Sequence, residues 1–274
     1  MPELPEVETV RRTLHNLIIS KQIESVTIQW PKIIKHPDDA LEFETLLKGQ
    51  KIHQVDRRGK FLKIFLDDFV LVSHLRMEGR FGVYTHTEEI DKHTHVIFHF
   101  TDGKELRYRD VRKFGTMHLF PKGEEEKQLP LSQLGPEPFS KDFTFEDLKM
   151  KLSKTKRFIK VALLDQRFVV GLGNIYVDEA LFLSGVHPER ISNELGDEEI
   201  ERLHHYIIQT LKKAVDKGGS TIRSYVNSQG EIGMFQNDLY VYGREEQPCK
   251  QCQTPIKKIK VGGRGTHFCE DCQK

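Results

Sequence analysis

The chain has 274 residues, 37% hydrophobic and 30% charged. That composition is globular, and the length suits about two domains. Lys and Arg number 42 against 41 Asp and Glu, a net charge of +1, so only local basic clusters could meet a nucleic acid. No apolar run approaches the roughly 18 residues of a membrane-spanning helix. The charged first dozen residues carry no secretory signature. All four cysteines fall within residues 249–272, a spacing that suits a metal site in a reducing cytoplasm better than a disulfide framework.

In chain order, Val7, Val10, Leu14, Leu17 and Ile18 recur at helical spacing, so the spacing predicts an amphipathic helix over 5–18. Val26, Ile28 and Trp30 alternate as in a strand, and a short helix is expected at 40–47, closed by Gly49. Strand-like runs follow at 51–57, 61–66, 69–75, 80–84, 95–100, 104–109 and 115–120, with Thr101-Asp102-Gly103 as a hairpin turn. Many short strands imply a sandwich or barrel. Residues 121–140 hold four prolines and the run Glu124-Glu125-Glu126, and read as a linker. Helices are expected at 144–153, 157–165, 174–184 and 197–216, and 218–237 reads as a long glycine-bearing loop. The expected fold class is α+β and multidomain. It comprises a catalytic β domain at 1–134, a helical domain at 135–236 that includes the loop, and a cysteine-bearing module at 237–274.

The start Met1-Pro2-Glu3-Leu4-Pro5-Glu6 carries chemistry of its own. Removal of Met1 leaves Pro2 with a free secondary amine. An α-amino group titrates near 8, so part of it is neutral and nucleophilic at pH 7. Amines form Schiff bases with carbonyl-like carbons, and Glu3 and Glu6 lie close enough along a helix start to serve as acid and base. The same residues also suit an ordinary acidic helix start.

Cys249-x2-Cys252, sixteen residues, then Cys269-x2-Cys272 is a four-cysteine zinc pattern. Four thiolates close the tetrahedral shell of one Zn²⁺, so the site is structural rather than catalytic. Residues 249–274 have a net charge of +4. The expected tip, Gly262-Gly263-Arg264-Gly265, offers an arginine and bare amides to a phosphate, although a zinc ribbon can also bind protein. Two further basic stretches, Asp56-Arg57-Arg58-Gly59-Lys60 and Arg107-Tyr108-Arg109-Asp110-Val111-Arg112-Lys113-Phe114, lie in the β domain. Arg112 could bind phosphate while Phe114 wedges between bases; a solvated strand with Phe114 in the core fits the segment as well. Gly171-x-Gly173 before Asn174 could present amides to an anion.

Taken together, PELPEVE at 2–8, RRGK at 57–60, HLRMEGR at 74–80, RDVRKFG at 109–115, GLGNIYVDEALF at 171–182 and the terminal cysteine pairs resemble bacterial formamidopyrimidine-DNA glycosylase. The resemblance runs in order along essentially the whole chain. It implies an N-terminal β-sandwich, a helix–two-turns–helix domain and a zinc-finger hairpin with one structural Zn²⁺. It implies removal of oxidised purines from double-stranded DNA, then strand cleavage at the abasic site. Pro2 would be the nucleophile, Glu3 the acid that opens the sugar and Glu6 the orienting group. Lys60 would hold phosphates flanking the lesion. Met77, Arg112 and Phe114 would fill the hole left by the extruded nucleotide. Asn174 and Arg264 would bind the backbone, and His74, Arg80, Arg223 and Tyr242 join the expected DNA contacts. The loop at 218–237 would cap 8-oxoguanine. A monomer in the cytoplasm, at the nucleoid, is expected, with no membrane partner. Two rivals are an endonuclease VIII-type enzyme for oxidised pyrimidines and a non-catalytic zinc-ribbon DNA-binding protein.

Overall fold

A computed structural model describes residues 1–220 and 233–274. The chain forms two compact units, Met1–Gln133 with Gly218–Met234, and Leu134–Lys217 with Phe235–Lys274. The first opens with helix α1 (Leu4–Ile18), then β1 (Ile23–Ile28), β2 (Ile34–His36) and α2 (Ala40–Leu47). Seven strands follow: β3 (Gln54–Arg58), β4 (Phe61–Phe65), β5 (Phe69–His74), β6 (Arg80–Thr85), β7 (Thr94–Phe100), β8 (Lys104–Arg109) and β9 (Thr116–Pro121). They make two sheets, ordered β1-β7-β8-β6 and β2-β9-β5-β4-β3. Every pairing is antiparallel except β2 with β9.

The helical spacing read in the sequence is the buried face of α1. Val7, Val10, Leu14 and Ile18 enter one core with Phe43 and Leu47 of α2 and with apolar side chains of both sheets. Each such side chain contributes about 1.5–3 kcal/mol on burial. Asp39 caps α2 by accepting from Leu41 N–H at 2.9 Å. At the expected Thr101-Asp102-Gly103 turn, Gly103 N–H donates to the Phe100 carbonyl at 3.1 Å, and Gly103 itself has φ +78°.

The sequence pattern departs from the structure where tertiary contacts decide. Trp30 lies beyond β1. Strand β2, three residues long, is too short to show a period. The stretch at 121–140 is partly packed rather than a plain linker: Leu131 is buried, as is Glu125, which takes an ion pair from Lys63 at 3.1 Å. Residues 218–220 belong with the first unit, since Ser220 N–H donates to Glu6 at 2.7 Å.

The second unit holds α3 (Phe145–Ser153), α4 (Ile159–Leu164), α5 (Asn174–Ser184), α6 (Asp197–Asp216) and a ribbon of β10 (Lys257–Val261) and β11 (Arg264–Phe268). Thr144 caps α3 through Asp147 N–H at 3.1 Å. Helix α6 buries the stripe Ile200, Leu203, Ile207, Leu211, Ala214 and Val215. At the ribbon tip Val261 pairs with Arg264. The turn is therefore Gly262-Gly263, both at positive φ (+55° and +79°), as a two-residue hairpin of type I′ requires.

Inside this unit the Lys160 ammonium meets the Asp178 carboxylate at 2.6 Å with both side chains fully buried. Breaking such a pair from one side leaves an uncompensated buried charge, at about 3–5 kcal/mol. Lys160→Met is therefore expected to destabilise the second unit by about that much. The double variant Lys160→Met with Asp178→Leu should recover part of the loss, the remainder being the cost of the His267 N–H that Asp178 no longer meets. Chemical unfolding of the parent, Lys160→Met and the double variant checks this, and a double variant no more stable than Lys160→Met alone would contradict it.

Candidate active site and metal centre

In the first unit, the start of α1 is fixed by one carboxylate. Glu6 Oε2 accepts from Glu3 N–H at 2.8 Å, the backward-reaching arm of a capping box. Its other oxygen accepts from Ser220 N–H at 2.7 Å and Ser220 Oγ at 3.3 Å. Pro2, Glu3 and Glu6 are all buried here, with Met1 half exposed beside them. Gly219 (φ +79°) and Gly233 close the stem of the following loop. A Cβ on Gly219 would lie 2.7 Å from Glu6 Oε1, and one on Gly233 would lie 2.3 Å from the Gly219 carbonyl. Arg223 and residues 221–232 of the loop lie outside the described residues.

Glu8, one turn along α1, takes hydrogen bonds from Arg11, from Arg12 at 2.8 Å and from Arg57 at 2.9 Å. Although burial opposes ionisation, these three guanidinium groups hold its carboxyl below the usual range. The Arg57 bond ties α1 to β3, whose end carries the turn Gly59-Lys60. Gly59 has φ +56° and Lys60 is buried. Past this turn Phe61 pairs with His74 of β5, edge to ring at 4.5 Å. His74 Nδ1 accepts from Arg76 N–H at 2.9 Å. Burial first, then the Arg76 and Lys60 charges, lowers His74 to about 3. The ring is thus a neutral donor at Nε2, and Lys60 lies within its electrostatic reach.

Two loops carry the expected hole-filling residues. Leu75–Gly79 holds half-buried Met77 and is closed by Gly79 N–H on the Leu75 carbonyl at 2.9 Å. The 110–115 loop exposes Arg112 and Phe114, with the guanidinium 4.8 Å from the ring centroid. Phe114 is 51% exposed, so it is not a core residue. Arg80 opens β6 opposite Arg109.

The second unit places Asn174 at the first turn of α5, after Gly173 in extended conformation. Its Nδ2 donates to the Gly265 carbonyl at 2.8 Å, next to Arg264, and Lys160 reaches the same carbonyl at 3.2 Å. Asp178 accepts from His267 N–H at 2.9 Å. The neighbouring Glu179 accepts three backbone N–H groups, from Tyr240, Val241 and Tyr242, at 2.8, 2.9 and 2.9 Å. Burial raises the Glu179 carboxyl, the three amides oppose that rise, and the Asp178 charge adds to it. The Tyr242 ring packs on His267 at 5.1 Å.

Cys249, Cys252, Cys269 and Cys272 place all four Sγ atoms within 4.8 Å of one another. Tetrahedral zinc with Zn–S of about 2.3 Å needs S···S edges near 3.8 Å. The observed 3.9 Å (Cys249 to Cys272) and 3.4 Å (Cys252 to Cys269) fit one such ion. The second knuckle is anchored on the end of α5: Gln273 Nε2 donates to the Val186 carbonyl at 2.9 Å, and Lys274 N–H to that of Gly185 at 3.0 Å.

Sequence models of three domains match the chain in order. They are the formamidopyrimidine-DNA glycosylase N-terminal domain over residues 1–117, the H2TH domain of that glycosylase over 134–226, and the zinc finger found in FPG and IleRS over 246–274. These define a DNA-glycosylase architecture with an H2TH module and a zinc ribbon. The chain is 65% identical to the formamidopyrimidine-DNA glycosylase of Bacillus licheniformis over 274 residues, all of both chains. It is 63% identical to that of Bacillus subtilis over 100% of this chain and 99% of the relative. Among solved structures, a mutant Lactococcus lactis FPG in complex with Fapy-dG-containing DNA matches at TM-score 0.94 and 43% identity over 100% of both chains. Lactococcus lactis Fpg with abasic-site DNA matches at TM-score 0.93 and 42% identity over 99% of each. The chain belongs to the formamidopyrimidine-DNA glycosylase family. Its zinc-finger domain and four-cysteine cluster fit one structural zinc.

Sequence reasoning passed over the residues that hold the site rather than form it: Glu8, Tyr108, Asp110, Lys160, Asp178 and Glu179. A signal was present in an acid inside the basic 107–114 run and in two adjacent acids within an otherwise apolar helix.

Two outcomes follow from this geometry. An unfolded histidine titrates near 6.5, above the folded value of about 3. Protonation in that interval therefore favours the unfolded chain, and the stability due to neutral His74 is lost as pH falls. The melting temperature of the parent should fall more steeply than that of His74→Gln between about pH 6.5 and pH 4; parallel curves would contradict a neutral His74. Removing zinc with a chelator should loosen the ribbon and leave the first unit folded. Amide exchange would then accelerate across 246–274 and stay unchanged in β4 and β5.

Proposed function

We propose that this chain excises oxidised purines, 8-oxoguanine and formamidopyrimidines, from double-stranded DNA and then cleaves the strand through a covalent intermediate on Pro2. It is a DNA glycosylase and abasic-site lyase. The observation that carries the reading is Pro2 leading a buried Glu3–Glu6 cap, in a chain that matches formamidopyrimidine-DNA glycosylases end to end. The Lactococcus lactis complexes with Fapy-dG and abasic-site DNA support the substrate.

The amine exists once Met1 is removed, because an acylated proline nitrogen has no lone pair for attack. Pro2 then attacks C1′ of an extruded nucleotide, since C1′ is blocked in the stacked duplex. The C1′–N bond breaks and the base leaves with a proton. Glu3 protonates the ring oxygen, so the sugar opens to an iminium on Pro2. The iminium acidifies C2′–H; loss of that proton expels the 3′ phosphate, and a second elimination expels the 5′ phosphate. Lys60 and neutral His74 hold flanking phosphates, one by charge and the other by an N–H. Arg112 pairs with the orphaned cytosine, Phe114 wedges the stack and Met77 fills the remaining space. In the second unit Asn174, Arg264 and Tyr242 bind the backbone, while Arg80 and Arg223 add contacts in the first. The 218–237 loop reads the extruded purine, because Pro2, Glu3 and Lys60 act on sugar and phosphate alone. The working form is a monomer in the cytoplasm, at the nucleoid. Among the described residues no helix is long and apolar enough to cross a membrane.

Duplexes carrying 8-oxoguanine or an oxidised thymine test the substrate class. Faster excision of 8-oxoguanine is expected; preference for the oxidised pyrimidine would favour an endonuclease VIII-type enzyme. Borohydride reduction during turnover should leave a DNA adduct that peptide mass spectrometry maps to Pro2 in protein lacking Met1. An adduct on lysine with Pro2 free would reject the nucleophile. Phe114→Ala should lose far more rate on 8-oxoguanine than on a pre-formed abasic site. Arg112→Ala should lose about 1–3 kcal/mol of discrimination for cytosine opposite the lesion.

A further inference from the structure

The end of β8 and the residue after it supply two polar groups that the chemistry above does not use, Tyr108 and Asp110, each fully buried. Asp110 follows the strand and organises the loop after it. Its Oδ1 accepts from Arg112 N–H at 3.0 Å, and its Oδ2 from Phe114 N–H at 2.9 Å and Gly115 N–H at 2.8 Å. Its own N–H donates to the His93 carbonyl at 3.0 Å. Its carbonyl accepts from Lys113 N–H at 3.3 Å and from His95 Nε2 at 2.7 Å. Lys113 is held at φ +58° within this turn, a conformation that non-glycine residues rarely adopt without support. The exposed Arg112 and Phe114 thus stand on backbone amides that share one buried acceptor.

Tyr108 joins this loop to its neighbour. Its ring packs edge-on against Phe81 at 5.0 Å. Its hydroxyl oxygen lies where side chains of two glycines would otherwise be, 2.1 Å from a Cβ placed on Gly79 and 1.7 Å from one placed on Gly115. Gly79 ends the loop of Met77, and Gly115 ends the loop of Phe114. Any larger residue at either glycine would displace the tyrosine. Burial first, then the Asp110 charge, raises the Tyr108 hydroxyl and keeps it protonated.

We infer that Asp110 and Tyr108 are positioning residues that hold the Met77 loop and the Arg112–Phe114 loop as one rigid wedge. This rests on the hole-filling reading of Met77, Arg112 and Phe114 given above. A wedge works only if it does not yield when pressed into a base stack. The strain of inserting it must fall on the DNA, where it favours the extruded nucleotide. A loop with three amides tied to one buried carboxylate and a fourth to the carbonyl of the same residue, and whose end abuts the post that steadies its partner loop, meets that requirement.

The test compares the parent with Asp110→Asn, Tyr108→Phe and Phe114→Ala. Asp110→Asn keeps the volume but turns an NH₂ toward backbone N–H groups, leaving at least one buried donor without an acceptor. Excision of 8-oxoguanine should fall by about tenfold, the scale set by an unmet buried hydrogen bond. Incision at a pre-formed abasic site should fall much less, and the preference for cytosine opposite the lesion should flatten. Amide exchange at Phe114 and Gly115 should accelerate while β8 exchanges as before. Tyr108→Phe, which keeps the ring in the core, should show the same split at smaller size. Equal losses on both substrates in both variants, or faster loop exchange with excision unchanged, overturns the inference. If Phe114→Ala shows the split and Asp110→Asn does not, this inference fails alone. If neither shows it, the hole-filling reading fails with it.

Discussion

Buried carboxylates that accept backbone N–H groups are the constraint on which both units depend. An ionised carboxylate withdrawn from water must be met by donors or it destabilises the fold by several kcal/mol. Here the donors are amides in the segments that hold the candidate site residues or neighbour them. Glu6 holds Glu3 and Ser220, Asp110 holds residues 112, 114 and 115, Asp178 holds His267, and Glu179 holds residues 240–242. Each acid needs its loop in one conformation, and each loop needs its acid. Rigidity at the site thereby becomes part of the stability of the unit that carries it.

The two units meet the requirement differently. The first has a large apolar core shared by α1, α2 and both sheets. Glu8 extends the logic to side chains, gathering Arg11, Arg12 and Arg57 so that α1 is tied to β3. The ribbon of the second unit is too small to bury such a core. Its satellite cluster is Phe182, Val241, Ile256 and two of the cysteines, so the four thiolates and the acids of α5 supply what apolar area cannot. Arg264 and Tyr242 inherit their positions from that arrangement.

Much of the molecule was legible in the chain. The spacing of Val7, Val10, Leu14 and Ile18 is a property of a helix against a core, and the structure buries those residues. The α6 stripe, the Asp102-Gly103 turn and the paired cysteines were legible for the same reason, since each is a local pattern with one physical use. The short β2 was not, because three residues carry no period. The Pro-rich stretch at 121–140 read as a linker because nothing local shows that Lys63 would pair with Glu125.

The site divides the same way. The sequence by itself determined which groups could react or bind: a proline behind a removable methionine, two acids within four residues, an arginine and a phenylalanine in one basic run, and four thiols at metal spacing. It did so because reactivity belongs to residue type and to separations of a few positions. Only the tertiary structure decided that Glu6 reaches Ser220, that Lys60 stands beside a neutral His74, that Phe114 is exposed rather than in the core, and that Tyr108 props two loops at once. Those facts depend on strand register and on buried acceptors meeting distant amides. Such long-range pairing follows from how the whole core packs and leaves no periodic trace along the chain.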